Sequence, residues 1–128
     1  MGVREDGCAW CGERRDETVF GLRIWSGRVS DAYLARPVRS RIRAVVVWRG
    51  RHVVEPADLS PVEADLYHRE VVTVARAIRD CFRVRRLSYL TTPDAEPHLH
   101  TFVSGDRVEG GPGEGWRADA AALHTTLG

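Results

Sequence analysis

Residues 96–103, EPHLHTFV, place two of the chain's five histidines one residue apart in a stretch that alternates like a strand. Residues two apart on a strand share a face, so His98, His100 and Phe102 point one way and Leu99, Thr101 and Val103 the other. The second set is apolar enough to be the core face, which turns both imidazoles outward or into a cleft. An imidazole in that position can ligate a metal, move a proton near neutral pH or attack as a nucleophile. Near the N-terminus, Cys8-Ala9-Trp10-Cys11 is a C-x-x-C. Two thiolates at that spacing can grip one zinc ion, and a redox dithiol fits the pattern equally well. There is no second C-x-x-C, so a four-cysteine zinc ribbon is excluded, and any zinc needs histidines from far along the chain. His52, His98 and His100 are the candidates. His68 falls on a helical segment and reads as solvated; Cys81 ends an apolar helix stripe and reads as packed. A serine nucleophile has no G-x-S-x-G, and the glycines between 110 and 115 lack the lysine of a phosphate loop.

Elements that must position these residues are legible in part. The clearest is a helix from Ser60: Ser60-Pro61-Val62-Glu63 offers an N-cap, a proline at the first helical position and a glutamate to close a capping box. Tyr67, Val71, Val74, Ile78 and Phe82 follow at helical spacing and make one apolar stripe for covering a sheet. TVFGLRIW (18–25) reads as a strand closed by the turn cluster SGRVSD, and DAYLARPV as a short strand or a turn of helix. RAVVVW (43–48) is a continuous apolar run, the mark of a strand buried on both faces. LSYLTT (87–92) and HLHTFV are two more strands joined by a turn with proline at each end. Together they predict an α+β domain with a mainly antiparallel sheet. Residues 1–103 form the expected domain. Residues 104–128 form a Gly-rich tail, partly flexible, packing on the same domain and carrying a short helix around 118–123.

The length of 128 residues suits one domain with its own core. A net charge near +1 gives no global case for nucleic acid or membrane partners. All 19 basic residues are arginine, as codon bias in a GC-rich bacterial genome produces. Six of them lie between Arg36 and Arg51 with no acid among them, a solvated basic face or a set of forks for a phosphate-bearing ligand. No apolar run approaches the length of a membrane span, and no secretory signal is present, so a cytoplasmic protein is expected.

PHLHTFV resembles the signature of the histidine triad (HIT) nucleotide hydrolases and transferases, in which three histidines alternate with apolar residues. VVVWRGRHVVEPADLSPVEADLY is similar to that family's strand, basic-histidine turn and capped helix, LSYLTTPDAEPHLH to the strand and turn before the triad, and CAWC stands where zinc-binding members carry a cysteine pair. The likeness runs from Cys8 to Val103. It implies a HIT-like fold with one long crossing helix, paired into a homodimer through a continuous sheet. It implies a structural zinc held by Cys8, Cys11, His52 and His98, a closed S₂N₂ set. It makes His100, the middle histidine, the nucleophile that attacks a nucleotide α-phosphate and forms a nucleotidyl-imidazole intermediate.

Two substrate-facing positions depart from the pattern. Phe102 occupies the place of the third histidine, which hydrogen-bonds the phosphate or leaving group, and phenylalanine can do neither. Asp94 stands where many members carry an asparagine facing the phosphate, and a carboxylate there repels the nucleotide unless it is protonated. His124 could fold back over the cleft in place of the missing histidine. Three functions are compatible with this set. One is a divergent nucleotide hydrolase or transferase acting through His100. Another is a non-catalytic nucleotide-binding module. The third is a HIT fold repurposed for non-nucleotide chemistry, such as bacterial specialised metabolism, with zinc or His100 as the reactive centre.

Overall fold

The computed structural model describes residues 8, 10–11, 14–93, 97–107 and 115–128. Six strands, β1 (Glu17–Thr18), β2 (Gly21–Ser26), β3 (Ser30–Leu34), β4 (Arg41–Trp48), β5 (Ser88–Thr91) and β6 (His100–Asp106), form one sheet in the order β1-β2-β3-β4-β6-β5. Every pairing is antiparallel. The long helix α1 (Pro61–Phe82) and the C-terminal helix α2 (Trp116–Leu127) share a core with one sheet face.

The helix α1 starts as expected. The Ser60 hydroxyl accepts from the Glu63 amide at 3.2 Å while the Glu63 carboxylate accepts from the Ser60 amide at 2.8 Å. The Arg51 guanidinium on Glu63, at 2.6 Å, together with the Ser60 amide, holds that carboxyl down at about 2. The helix ends where Arg83 turns left-handed, φ 51°. Its stripe of Tyr67, Val71, Val74, Ile78 and Phe82 is buried against Ala44, Val46 and Trp48 of β4 and Leu99 and Val103. Val45 and Val47 point to the opposite face, where they pack with Phe20 and Tyr33. The strand β4 is thus buried on both faces, as its unbroken apolar run predicts.

The structure departs from the sequence expectation at residues 18–25 and after residue 103, and it decides between the two alternatives for DAYLARPV. Residues 18–25 are not one strand: Gly21, at φ 136°, turns the chain so that β1 folds back on β2, and a side chain there would meet the Leu34 backbone. The ambiguous segment 30–34 is a strand, β3, buried along its whole length between β2 and β4. After residue 103, β6 runs on to Asp106, and α2 is longer than the expected 118–123 helix. Ala120 and Leu123 of α2 enter the core, and the Trp116 indole donates to the Leu34 carbonyl at 2.9 Å. The Gly-Pro-Gly centre of the tail lies outside the described residues.

A buried carboxylate ties α1 to the β2–β3 turn. Glu70 accepts from the Arg28 amide at 2.7 Å, the Val29 amide at 3.2 Å and the Ser30 hydroxyl at 2.6 Å. Gly27 passes so close to this carboxylate that any side chain there would strike it. Removing the acceptor strands several donors, so Glu70→Ala is expected to lower stability by about 2–4 kcal/mol, read as a reduced urea midpoint. An unchanged midpoint would show that water replaces the carboxylate at no cost.

Candidate active site and metal centre

The stretch before β6 is threaded between neighbours: Leu99 donates to the Val53 carbonyl at 2.6 Å and its carbonyl accepts from Trp48 at 3.0 Å. These bonds fix His98 beside His52 and against the Cys8–Cys11 knuckle. The Cys8 Sγ lies 3.3 Å from His98 Nδ1, and the Cys11 Sγ lies 3.1 Å from His52 Nδ1 and 3.5 Å from His98 Nδ1. All four ligand atoms lie within 4.8 Å of one another, and three of the four residues are buried. A tetrahedral ion with Zn–S near 2.3 Å and Zn–N near 2.0 Å sets its ligand atoms about 3.5 Å apart. The residues therefore fit a metal site of the closed S₂N₂ type. Support behind the ligands fits as well: His98 Nε2 lies 2.7 Å from the Trp48 carbonyl, so that nitrogen carries the hydrogen and Nδ1 faces the thiols.

The knuckle is clasped to the sheet by charge. Arg14 donates through two nitrogens to Asp31 at 2.7 and 3.1 Å, and Arg49 donates to the same carboxylate at 2.9 Å. Burial works against ionising Asp31, but hydrogen bonds from Arg14 and Ser26 and the charges of Arg14 and Arg49 outweigh it and hold its carboxyl below the usual range. Arg49 also donates to the carbonyls of Gly27, Arg28 and Ser30. It is a structural residue, not part of a solvated basic face.

His100 sits one step along the same segment. Its Nδ1 lies 2.6 Å from the His98 carbonyl. A carbonyl only accepts, so Nδ1 carries the hydrogen and Nε2 keeps the lone pair, the tautomer a nucleophile needs. One residue, His98, thus faces the candidate metal site with its ring and sets the His100 tautomer with its backbone. Of the two expectations for the imidazoles, outward or into a cleft, the outward one needs correcting. His98 and His100 are 2% and 1% exposed. Trp10 lies edge-on to His100 at 4.4 Å between ring centroids, and Phe102 does so at 5.3 Å. The physical reason is the knuckle itself: Cys8 and Cys11 come to His98, and Trp10, between them in sequence, is carried onto His100.

Phe102 is half-buried next to His100, and Asp94 lies outside the described residues. The His124 idea is corrected by the fold. α2 packs with α1 in the core on one sheet face, whereas His100 is on the other, and the His124 Nδ1 donates to the Ile24 carbonyl at 3.1 Å. Cys81 meets the Thr126 hydroxyl at 3.1 Å and is not a ligand, and His68 is exposed on α1. One side chain in the site escaped sequence reasoning, and another stood there only as one of six arginines suited to a phosphate-bearing ligand. Trp10 had a signal, its place inside the C-x-x-C. Arg43 had a weaker one, the strand alternation that puts it on the face of Val45 and Val47.

No family model matches the chain, and no curated protein matches it. Solved structures do. A histidine triad protein from Bradyrhizobium japonicum superposes with a TM-score of 0.71 at 17% identity, over 84% of this chain and 91% of its own. Another from Sinorhizobium meliloti 1021 gives 0.70 at 19% identity, over 83% and 89%. The chain has the histidine triad fold. A zinc-bound histidine triad family protein from Mycobacterium smegmatis is similar at a TM-score of 0.57 and 19% identity, over 82% of each chain. Among the described residues, no helix of this histidine triad fold is long and apolar enough to cross a membrane.

Proposed function

We infer that the protein is a nucleotide hydrolase or transferase that works through a covalent intermediate on His100, with a structural zinc held by Cys8, Cys11, His52 and His98. The observation that carries this reading is the Nδ1–H bond from His100 to the His98 carbonyl, which leaves Nε2 free to attack an α-phosphate. The metal, when bound, supplies structural cross-linking of the knuckle to the loop before α1 and to the segment before β6. The chain's own residues then do the rest. The His98 carbonyl holds the nucleophile's proton in place, and Trp10 and Phe102 exclude water from the imidazole. Because His100 is 1% exposed, one of those two rings must turn aside for a phosphate to reach it.

Turnover tests this directly. The zinc-loaded protein is expected to release AMP from at least one of two substrates, adenosine phosphoramidate and the nitrophenyl ester of AMP. No release from either, at enzyme concentrations that detect a few turnovers, would overturn the reading. A second reading, nucleotide recognition without chemistry, draws on the buried nucleophile and on the apolar Phe102 beside it. AMP binding without turnover would establish that one instead.

A homodimer accords with the edge of the sheet. β5 is an edge strand whose four residues are all exposed, with Tyr89 and Leu90 at 55% and 56%, and an open apolar edge favours pairing with another strand. Light scattering is expected to give twice the chain mass, falling to the chain mass in the double substitution Tyr89→Glu, Leu90→Glu. A monomer at all concentrations would contradict the pairing.

A further inference from the structure

Phe102 has a second partner besides His100. The Arg43 guanidinium carbon lies 4.7 Å from the centroid of its ring. In the β4–β6 register Val45 is opposite Phe102 and Arg43 is opposite Ser104, so Arg43 stands on the sheet face that carries His100 and Phe102. Three other arginines of the 36–51 run hold carboxylates. Arg41 bonds Asp106 and Ser104, Arg49 bonds Asp31, and Arg51 bonds Glu63. Arg43 is exposed and, among the described residues, has no carboxylate partner. A cation over a ring face is held by the ring's quadrupole while its N–H donors stay available to an anion. The residue that removes a polar group from the site is therefore the platform for a charged one.

The exchange is not neutral chemically. A histidine next to a leaving group can bind it and protonate it. A guanidinium stays protonated throughout the accessible pH range, so it can stabilise negative charge but cannot hand over a proton. Leaving amines need that proton; phosphate, carboxylate and phenolate groups do not. We propose that Arg43, seated on Phe102, is the anion-binding residue of this site and confines it to nucleotide α-phosphates whose leaving group departs as a stable anion. This rests on the nucleotidyl-transfer reading above. In the first step the His100 Nε2 lone pair forms the N–P bond, and the P–O bond to the leaving group breaks. Its electron pair stays on the departing oxygen beside Arg43, and no proton moves. In the second, a water oxygen bonds phosphorus and the P–N pair returns to Nε2. The water's protons pass to solvent or stay on the released nucleoside monophosphate.

The test compares wild type, Arg43→Gln and Phe102→His, all zinc-loaded and of matched melting temperature, on the nitrophenyl ester of AMP and on adenosine phosphoramidate. Arg43→Gln is expected to lower kcat/KM for the ester by about 10²–10³-fold, the cost of one lost transition-state donor. It is also expected to weaken AMP binding, read by calorimetry, at least tenfold while leaving adenosine binding unchanged. Phe102→His is expected to shift the ratio of the two substrates toward the phosphoramidate. Ester turnover by Arg43→Gln within twofold of wild type would overturn the proposal, as would a Phe102→His ratio equal to that of wild type. If wild type turns over neither substrate, the transfer reading fails and the leaving-group restriction falls with it. AMP binding then decides the anion-binding role: tenfold weakening by Arg43→Gln sustains it, and equal affinity, or no AMP binding by wild type, ends it.

Discussion

His100→Ala is expected to lower turnover by on the order of 10⁴-fold or more, because removing a nucleophile that acts as a unit with its site leaves only binding and electrostatic assistance. The effect should fall on kcat. The imidazole is buried in contact with Trp10 and Phe102, and its ring contributes little surface to a bound nucleotide, so AMP affinity should change less than tenfold. Stability will also move: a cavity is left under two aromatic rings, and the His98 carbonyl loses the donor 2.6 Å away. His100→Gln keeps a polar side chain without a nucleophilic nitrogen lone pair. It should be as inactive as the alanine variant while melting closer to wild type, which separates lost chemistry from lost packing. Turnover in either variant within tenfold of wild type would show that another group attacks the phosphate.

Cys11→Ala carries the other large effect. Its thiol approaches both histidines, 3.1 Å from His52 Nδ1 and 3.5 Å from His98 Nδ1. Zinc measured on the purified protein is expected to fall from about one per chain to none, since three ligands from three distant segments hold the ion weakly. The loss should cost at least about 3 kcal/mol, roughly 10 °C in melting temperature for a domain of this size. Trp10 fluorescence should change with it, because the knuckle that presses the indole onto His100 is no longer anchored. Cys81→Ala is the control: that thiol touches Thr126 and should leave metal content as it is. A Cys11→Ala protein that melts with wild type, or a wild type whose melting a chelator does not move, would contradict a structural metal.

What could be read from the sequence was whatever depends on neighbours. The capping box at Ser60 to Glu63 and the apolar stripe behind it give α1 from residues within a few turns. The unbroken apolar run at 43–48 gives β4 for the same reason, because burial on both faces leaves no alternation. Gly21 could not be weighed in that way. The need for glycine there comes partly from the Leu34 backbone passing beside it, a contact across the sheet. The helix α2 exceeded expectation because Ala120 and Leu123 find α1 and β2, partners that a short alanine-rich segment does not announce.

The candidate site divides along the same line. Cys8, Cys11, His52 and His98 converge on one another; residue chemistry made them candidates alongside His100, and the likeness to histidine triad proteins supplied the set of four. The burial of His100 and the guanidinium on Phe102 are products of folding. Trp10 reaches His100 only because the knuckle is drawn to His98, and Arg43 reaches Phe102 only because the β4–β6 register sets their strands side by side. Reading Phe102 as a simple loss missed that a ring can hold the charge it does not itself carry.

The most direct measurement is of the intermediate. The zinc-loaded protein would be mixed with the nitrophenyl ester of AMP and quenched within the first turnover under alkaline conditions, which preserve a phosphorus–nitrogen bond. The peptide containing His98 and His100 would then be weighed by mass spectrometry. A nucleotidyl adduct on His100, absent from His100→Ala, is the predicted result. AMP formed without any adduct, or an adduct on another residue, would contradict covalent catalysis by His100.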